Sequence, residues 1–197
     1  MFALVESGSI TQFPKGNKGI TIGDNQYPQT IYTLWTEAER NAIGIYTVEI
    51  DETNRKDEKF YINTNITYAF GSGKVTGSYG TATAKAIADS LYTSQDKTDG
   101  LIPSDKDVGD VKVQGLKSIY KNQFNAQAAG LLAKTDWYVI KAADVGSYSV
   151  PSNITTYRAA VRTKVNSMET SIDGCSDVAA LITLLTYTKD SEGVVSR

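Results

Sequence analysis

The chain has 197 residues, of which 41% are hydrophobic and 21% are charged, and its net charge is −2. These values are typical of a folded protein, and the 20 Lys and Arg are scattered, which excludes the basic surface that nucleic-acid binding needs. The absence of histidine excludes Ser–His and Cys–His nucleophilic catalysis and removes the commonest metal ligand.

Nothing in the sequence indicates a membrane or secreted protein. No apolar run approaches the roughly 18 residues of a membrane-spanning helix. Residues 1–10 lack the cationic flank and the long apolar core of a signal peptide. Cys175 is the only cysteine, so an internal disulfide is impossible, as is usual for proteins that fold in a cytosol. We therefore expect synthesis in a cytoplasm, with no nucleic-acid or membrane partner.

Short strands joined by turns are predicted for the first part of the chain. Phe2, Leu4 and Glu6 alternate with Ala3, Val5 and Ser7, which is the period of a β-strand. A Gly-containing turn makes 10–13 the expected hairpin partner, and 20–22 is predicted to be a third short strand. Residues 23–28 contain Gly, Asp, Asn and Pro and are predicted to form a turn region.

The stretch "LWTEAERNAIGIYTVEID" (34–51) predicts a short helix followed directly by a strand. Thr36 and Glu39 have the spacing of a capping box, in which each side chain accepts a hydrogen bond from the backbone N–H of the other residue. The helix is expected to last about two turns, until Gly44 ends it. Alternation from Ile45 onward then predicts a strand.

A hairpin is predicted next, and after it the period changes. "FYINTNITYAF" (60–70) and "KVTGSYGTAT" (74–83) are typical of paired strands around a "GSG" turn. Apolar residues spaced by three and four over 84–91 then predict a helix. The polar stretch 93–110 contains Gly and Pro and is predicted to be an exposed hinge.

Helices are predicted for the remaining chain. One amphipathic helix is expected over 113–131, with apolar residues at spacings of three and four. Another begins at Thr135 or Asp136, and its Trp137 and Ile140 are expected to face inward.

The clearest helical pattern covers 154–172, and a further helix is predicted over 178–185. Because the connection between these two helices is short, they are expected to pack as an antiparallel hairpin. The predicted fold class is α+β. The predicted organisation is a small β-rich docking domain with one short helix, then a helix with a polar hinge, then a helical domain, at residues 1–80, 81–110 and 111–190.

Three motifs suggest chemistry, but each lacks a feature that the chemistry requires. "GSGKVT" (71–76) lacks the early Gly of a phosphate-binding loop and the Ser or Thr after its Lys. "DKDVGD" (105–110) has Leu116 where a calcium loop needs a bidentate Glu. The carboxylates of 51–58 belong to a charged loop, whereas glycoside hydrolysis needs two carboxylates across a cleft. We therefore predict no catalytic residue, no cofactor and no metal site.

Three stretches resemble proteins of tailed bacteriophages. Residues 34–51 resemble a segment of tail-fibre-like and tail-associated proteins, in which a capped turn containing Glu, Ala and Arg leads through Gly-Ile into a strand ending in Asp. The paired strands of 59–84 are similar to the same family. Residues 135–173 are similar to a second recurrent tail segment, marked by T-D-W, then V-P, then Y-R-A-A-V-R. The combination most resembles proteins of marine and cyanobacterial phages.

The resemblance implies a non-enzymatic structural component of a phage virion, of the tail-fibre, adaptor or baseplate type. Such a protein is made in the host cytoplasm and held in the virion tail by other tail or virion proteins. A tail-fibre assembly chaperone, which binds fibre chains and then leaves, is the alternative. A cell-wall hydrolase is a third class, for which the residues give no support. Because many fibres are threefold, the resemblance also implies a homo-oligomer, with a trimer as one arrangement.

Tyr120 and Phe124 are the predicted partner-binding residues. They lie on the apolar stripe of the 113–131 helix, which remains after the helices over 154–172 and 178–185 cover each other. A thin stack of helices has a poor ratio of core to surface. We therefore expect another chain to complete the helical part of the protein at this stripe.

Overall fold

The computed structural model describes residues 1–186 and, beyond them, the backbone of two short strands. Strands and helices are both present, so the protein is α+β, as the sequence predicts. The chain divides into two compact units, Met1–Thr83 and Ala84–Arg197, where the sequence suggested three segments.

The first unit consists of short strands and two short helices. The elements in chain order are β1 (Phe2–Glu6), β2 (Ser9–Gln12), β3 (Ile20–Ile22), β4 (Asn25–Tyr27), α1 (Ile31–Leu34), α2 (Glu37–Ala42), β5 (Ile45–Asp51), β6 (Tyr61–Ile62), β7 (Ile66–Gly71) and β8 (Lys74–Tyr79), with β9 (Thr83–Ala84) at the boundary. Five strands form one sheet in the order β2-β1-β5-β8-β7. The β5–β8 pair is parallel and the other neighbours are antiparallel.

Both predicted hairpins, β1–β2 and β7–β8, are confirmed. Each has a two-residue loop in which both residues have positive φ, at 50° and 78° for Ser7 and Gly8 and at 52° and 74° for Ser72 and Gly73. Loops of this kind match the right-handed twist of paired strands, and Gly supplies such a φ without strain. The "GSGKVT" motif is therefore a tight turn between two strands.

Two details of the β-rich prediction are wrong. The region 23–28, predicted as a turn only, contains β4, which pairs with β3. The single strand predicted over 60–70 is interrupted, because Asn63 turns its side chain toward the loop before it. The Asn63 amide accepts from the Lys56 N–H and donates to the Lys56 carbonyl, both at 2.9 Å. These bonds close a loop where a continuous strand was expected.

Apolar clusters cover both faces of the sheet. The alternation in β1 sends Leu4 to one cluster and Ala3 and Val5 to the other, which is the period-two geometry of a strand. The buried members of the first cluster are Leu4, Ile20, Ile31, Tyr32 and Ile45. Those of the second cluster are Ala3, Val5, Val48 and Val75. Because both faces of the sheet are covered, β5 has a buried residue on each face, Ile45 on one and Val48 on the other.

The sheet curls around the second cluster until its two edge strands, β2 and β7, contact each other. The rings of Phe13 and Tyr68 lie across this closure, with centroids 4.8 Å apart. Tyr46 and Phe70 are also 4.8 Å apart and belong to the same cluster. Edge strands that face each other are less available for pairing with another chain.

The capping box predicted for α2 is confirmed. The Glu39 N–H donates to Thr36 Oγ1 at 3.3 Å, and the Thr36 N–H donates to Glu39 Oε2 at 2.8 Å. Gly44 ends the helix with φ 82°, and its carbonyl accepts from the Val5 N–H at 2.8 Å. A Cβ on Gly44 would lie 2.6 Å from the Val5 carbonyl oxygen. The short helix therefore ends where β5 must approach β1, and only glycine fits there.

Replacing Thr36 with Ala is expected to destabilise the first unit by about 1 kcal/mol, because the Glu39 N–H loses its acceptor. Thr36→Ser keeps the hydroxyl and is the matched control. Urea unfolding followed by Trp35 fluorescence, in a Trp137→Phe background, measures the two variants. Equal midpoints for Thr36→Ala and its parent would show that the cap adds no stability.

The second unit is mainly helical. Its elements are β10 (Ser90–Leu91), α3 (Ser94–Thr98), β11 (Val111–Val113), α4 (Leu116–Ala133), α5 (Asp136–Asp144), α6 (Ser152–Gly174) and α7 (Val178–Leu185), followed by β12 (Thr188–Lys189) and β13 (Val195–Ser196). Helices α4, α5, α6 and α7 correspond to the helices that apolar spacing predicts.

The helix predicted over 84–91 is absent, because this segment instead caps the N-terminus of α4. The Leu116 and Lys117 N–H groups donate to the carbonyls of Ala86 and Ile87, each at 3.0 Å. Asp89 accepts from the Gly115 N–H and from the Ser118 hydroxyl, both at 2.7 Å. The first-turn donors of a helix need acceptors, and a remote segment supplies them here. These bonds lower the pKa of Asp89.

The predicted hinge over 93–110 is a closed loop containing α3. Strands β10 and β11 pair at its base. Tyr92 extends this pairing, with its N–H donating to Asp110 and its carbonyl accepting from Gly109, both at 2.9 Å. Thr93 and Asp96 form a second capping box, and the Asp96 carboxylate also pairs with Lys112 of β11. Asp96, one of the polar residues of the predicted hinge, thus helps to close the loop.

Acid is expected to weaken this loop through Asp96. The Lys112 ammonium, followed by the Thr93 N–H and hydroxyl, lowers the pKa of Asp96 to about 2. A carboxylate with a depressed folded-state pKa stabilises the protein above its unfolded pKa of about 3.9, and that contribution is lost as the pH falls toward 2. Thermal unfolding at several pH values should show a smaller acid-induced fall for Asp96→Asn than for wild type. Asp105→Asn, also in the loop, is the control and should follow wild type; parallel profiles for all three proteins would contradict the assignment.

The most extensive helix packing in the second unit joins α4 and α6, and the two are antiparallel. Side-chain bonds link Lys121 to Asp173 at 2.8 Å and Asn125 to Glu169 at 2.6 Å, while Arg158 bonds the carbonyl of Leu132 at 2.9 Å. Rising residue numbers on α4 thus meet falling numbers on α6. The hairpin predicted between α6 and α7 is secondary, because α7 meets α6 less extensively than α4 does.

Candidate interaction surface

A buried arginine fixes the junction between α4 and α5. Arg158 of α6 is 7% exposed, and its guanidinium donates to the Leu132 carbonyl at 2.9 Å and to Thr135 Oγ1 at 2.7 Å. It also pairs with Asp136 Oδ1 at 2.8 Å. The Thr135 hydroxyl donates in turn to the Leu132 carbonyl at 2.9 Å. One guanidinium therefore donates to a carbonyl in the last turn of α4 and fixes the start of α5.

This anchor sets the rotation of α5. Tyr138 and Ala142, one turn apart and so on one face of the helix, are half-buried. Trp137 and Ile140 are 51% and 60% exposed, so the prediction that they face inward is wrong. Val139 is exposed as well. The physical reason is that Asp136 is tied to Arg158, which leaves the more apolar side of a short helix outward.

Two further exposed side chains lie beside the junction. Tyr157 precedes Arg158 on α6, and its hydroxyl lies 3.5 Å from the carbonyl oxygen of Leu131 at the end of α4. Both residues are exposed. We call the set the junction surface, and its members are Leu131, Trp137, Val139, Ile140 and Tyr157.

Aromatic and cationic neighbours contact Trp137 of the junction surface. The rings of Trp137 and Tyr138 have centroids 4.0 Å apart. Lys141 Nζ lies 5.7 Å from the Trp137 ring centroid and 4.4 Å from that of Tyr148. Ring and ammonium contacts of this kind reduce the freedom of the side chains before a partner arrives. An exposed apolar face with ordered aromatic groups is typical of protein–protein contact sites.

The predicted partner-binding residues Tyr120 and Phe124 lie on α4, outside the junction surface. Both are half-buried, and both interact with neighbouring groups. Their role as a binding stripe stays a prediction. Sequence reasoning missed the junction surface, since the helical spacing of Trp137 and Ile140 fits an inward face and an outward face equally well. The outward position of Trp137 and Ile140 depends on the bond between Asp136 and Arg158, which are 22 positions apart in the chain.

The acidic motifs that were rejected as metal or catalytic sites form local hydrogen bonds and ion pairs. In the described part of the chain, no group of three or more Cys, Asp or Glu side chains is placed to hold a metal ion. The Asp110 carboxylate accepts from the Asp107 N–H at 2.8 Å and closes a turn. In the 51–58 loop, Glu52 and Glu58 flank Arg55 at 2.8 and 3.6 Å in exposed ion pairs. Such exposed pairs contribute little to stability.

None of the helices in the described residues has the length and apolar character needed to cross a bilayer. Comparisons of the chain with protein-family models, with curated proteins and with solved structures returned no match. The case for a function therefore depends on the residues and geometry of the chain and on the resemblance of its sequence segments.

Proposed function

We propose that the protein is a non-enzymatic structural component of a phage virion, a tail-associated protein of the fibre, adaptor or baseplate type. In this proposal it is made in the host cytoplasm, becomes part of the virion tail and binds other tail or virion proteins. It uses no cofactor, nucleic acid or membrane. The alternative is a tail-fibre assembly chaperone that uses the same surface and leaves before the particle is complete.

The exposed junction surface is the observation that carries the proposal. Trp and Tyr are the residues most often found at the centres of protein interfaces, because they bury a large area while losing few rotamers. Trp137, Ile140 and Tyr157 are all exposed, so the folded unit leaves their apolar area in contact with water. Covering this area with another protein surface would be favourable through the hydrophobic effect. That is the behaviour expected of a protein that acts by binding other proteins.

The resemblance of residues 34–51 and 135–173 to tail-associated segments supplies the biological setting of the proposal. The second of these stretches contains Trp137, Ile140, Tyr157 and the anchor Arg158. The part of the chain that resembles a tail segment thus includes most of the exposed apolar face. This coincidence favours a partner within the tail. Self-association belongs to the proposal because the resembled fibres are homo-oligomers, with a trimer as one arrangement.

Replacing Trp137 and Ile140 together with Ser is expected to abolish self-association and incorporation into particles without unfolding the protein, because both side chains are already exposed. Leu101, an exposed leucine of the 93–110 loop, provides the control variant Leu101→Ser. Analytical ultracentrifugation and circular dichroism measure association and folding. Normal association and incorporation of the double variant would contradict the assignment of the surface.

A matched double variant tests the stripe that the sequence predicted. Tyr120→Ser/Phe124→Ser changes two half-buried residues of α4 and is expected to lower the unfolding midpoint as well as association. Protein analysis of purified particles separates the two functional classes. Retention of the chain at a fixed copy number supports a virion component. Its presence on fibre chains during assembly, combined with its absence from finished particles, supports the chaperone.

A further inference from the structure

The outward side of α5 carries a stripe that combines apolar and charged side chains. Its members in the helix lie three and four positions apart, so they share one helix face; they are Trp137, Ile140, Lys141 and Asp144. All four are exposed, and Val145, which directly follows the helix, is 43% exposed. We call these five residues the α5 stripe. It overlaps the junction surface at Trp137 and Ile140 and extends it toward the end of the helix.

Neither charged residue of the α5 stripe forms an ion pair with the described residues. Lys141 and Asp144 have the spacing of an ion pair within a helix. The Lys141 ammonium instead lies 4.4 Å from the ring centroid of Tyr148 and 5.7 Å from that of Trp137. Asp144 is the last residue of α5, where the helix dipole disfavours a carboxylate. An opposite charge supplied by another chain would therefore stabilise each of these groups.

The order of charged and apolar residues makes the α5 stripe complementary to itself. When a second copy of α5 packs antiparallel, residue numbers rise on one helix as they fall on the other. A register that places Lys141 against Asp144 of the second copy therefore also places Asp144 against its Lys141, and Ile140 against its Val145. Such reciprocal contacts define a twofold interface. A parallel arrangement would bring each charge against the same charge, which is unfavourable.

We propose that the α5 stripe is the surface through which two copies of this chain pair about a twofold axis, with their α5 helices antiparallel. Reciprocal ion pairs between Lys141 and Asp144 fix the register, and Trp137, Ile140 and Val145 supply the apolar area. The inference rests on the proposed function, because it takes the junction surface as a binding surface and names a second copy as its partner. A twofold contact closes at two copies, so this surface produces a dimer.

Charge reversal in the full chain tests this pairing. Lys141→Asp leaves only carboxylates among the charged groups of the contact, and Asp144→Lys leaves only ammonium groups. Each variant alone should dimerise at least roughly tenfold more weakly than wild type, because like charges then face each other. An equimolar mixture of the two variants brings acidic residues against basic ones in the same register. Dimerisation in the mixture should therefore return to within about threefold of wild type.

Analytical ultracentrifugation measures the association, and circular dichroism checks that every variant is folded. The matched controls are Asp105→Lys and Lys106→Asp, which reverse exposed charges in the 93–110 loop. Both controls should dimerise as wild type does. Added salt should weaken the wild-type dimer, because ion pairs near the edge of an interface are screened.

Wild-type association of either variant alone, a mixture that fails to recover it, or a wild-type trimer would overturn the proposal. A wild-type chain that stays monomeric at high micromolar concentration would also overturn it and would assign the stripe to a different tail protein. Incorporation into particles is measured separately. A monomeric chain that enters particles contradicts the pairing and leaves the proposed function intact. A dimer that is absent from finished particles contradicts the role as a virion component and leaves the pairing intact.

Discussion

Gly115→Ala is expected to destabilise the second unit by about 3 kcal/mol, the sum of an overpacked contact and a damaged helix cap. A Cβ on Gly115 would lie 2.3 Å from both the carbonyl carbon and the oxygen of Ala88 and 2.7 Å from the carbonyl oxygen of Ile87. Backbone atoms cannot move aside as the end of a flexible side chain can. These same backbone atoms belong to the segment that caps α4, so any shift also breaks the hydrogen bonds to Leu116 and Lys117.

Gly130→Ala is the matched control, because Gly130 lies in the same helix and a Cβ there would meet nothing within 4 Å. This change should stabilise α4 by roughly 1 kcal/mol through helix propensity. Urea unfolding followed by far-ultraviolet circular dichroism gives both values. If the two alanine variants shift the midpoint in the same direction, the close approach of residues 86–89 to the start of α4 is wrong.

Arg158→Met is expected to cost about 2–4 kcal/mol, as is usual when one partner of a buried charged network is removed. Methionine keeps the apolar length of the side chain but removes the donor of the Thr135 hydroxyl and one of the donors of the Leu132 carbonyl, which keeps its bonds from Thr135. The Asp136 side chain is half exposed, so water compensates for part of that loss and the value falls in the lower part of the range. Because this network also sets the rotation of α5, self-association should weaken with it.

The control for this prediction is Arg162→Met, one turn further along α6 on its exposed side. It removes the same charge without a buried partner and should change stability by less than about 0.5 kcal/mol. Thermal unfolding of both variants provides the comparison. Equal losses for Arg158 and Arg162 would show that net charge matters and that the junction network does not.

Local signals in the sequence predict the parts of the fold that local bonds determine. The capping box of Thr36 and Glu39 needs residues three apart, and the hairpin turn at Ser72 and Gly73 needs two residues of positive φ. Both are therefore visible in a few letters of sequence. The apolar spacing of α4 and α6 is similarly informative, because the stripe that contacts the neighbouring helix repeats every turn.

The errors occur where a distant segment decides the outcome. Residues 84–91 have helical spacing, but the free N–H groups of Leu116 and Lys117 and the close contact with Gly115 hold this segment against the start of α4. No pattern within 84–91 contains that information. Only Gly115, a glycine placed directly before a helix-forming run, suggests that something lies close to the backbone there.

The candidate interaction surface was missed for the same reason. Which side of α5 faces outward depends on the bond between Asp136 and Arg158, which are 22 positions apart in the chain. Arg158 stands in an otherwise apolar stripe of α6, next to Tyr157. A guanidinium at such a position indicates that hydrogen-bond acceptors are buried beside it. The sequence therefore predicts that Arg158 binds another segment. Only the three-dimensional structure shows that this segment is the start of α5.

Cryo-electron microscopy of the intact phage particle tests the central claim most directly. The account predicts that the chain is found in the tail, with Trp137 and Ile140 covered by a neighbouring chain, either a second copy or another tail protein. A particle that lacks the chain, or a tail in which the junction surface faces solvent while a different face makes the contacts, would contradict it.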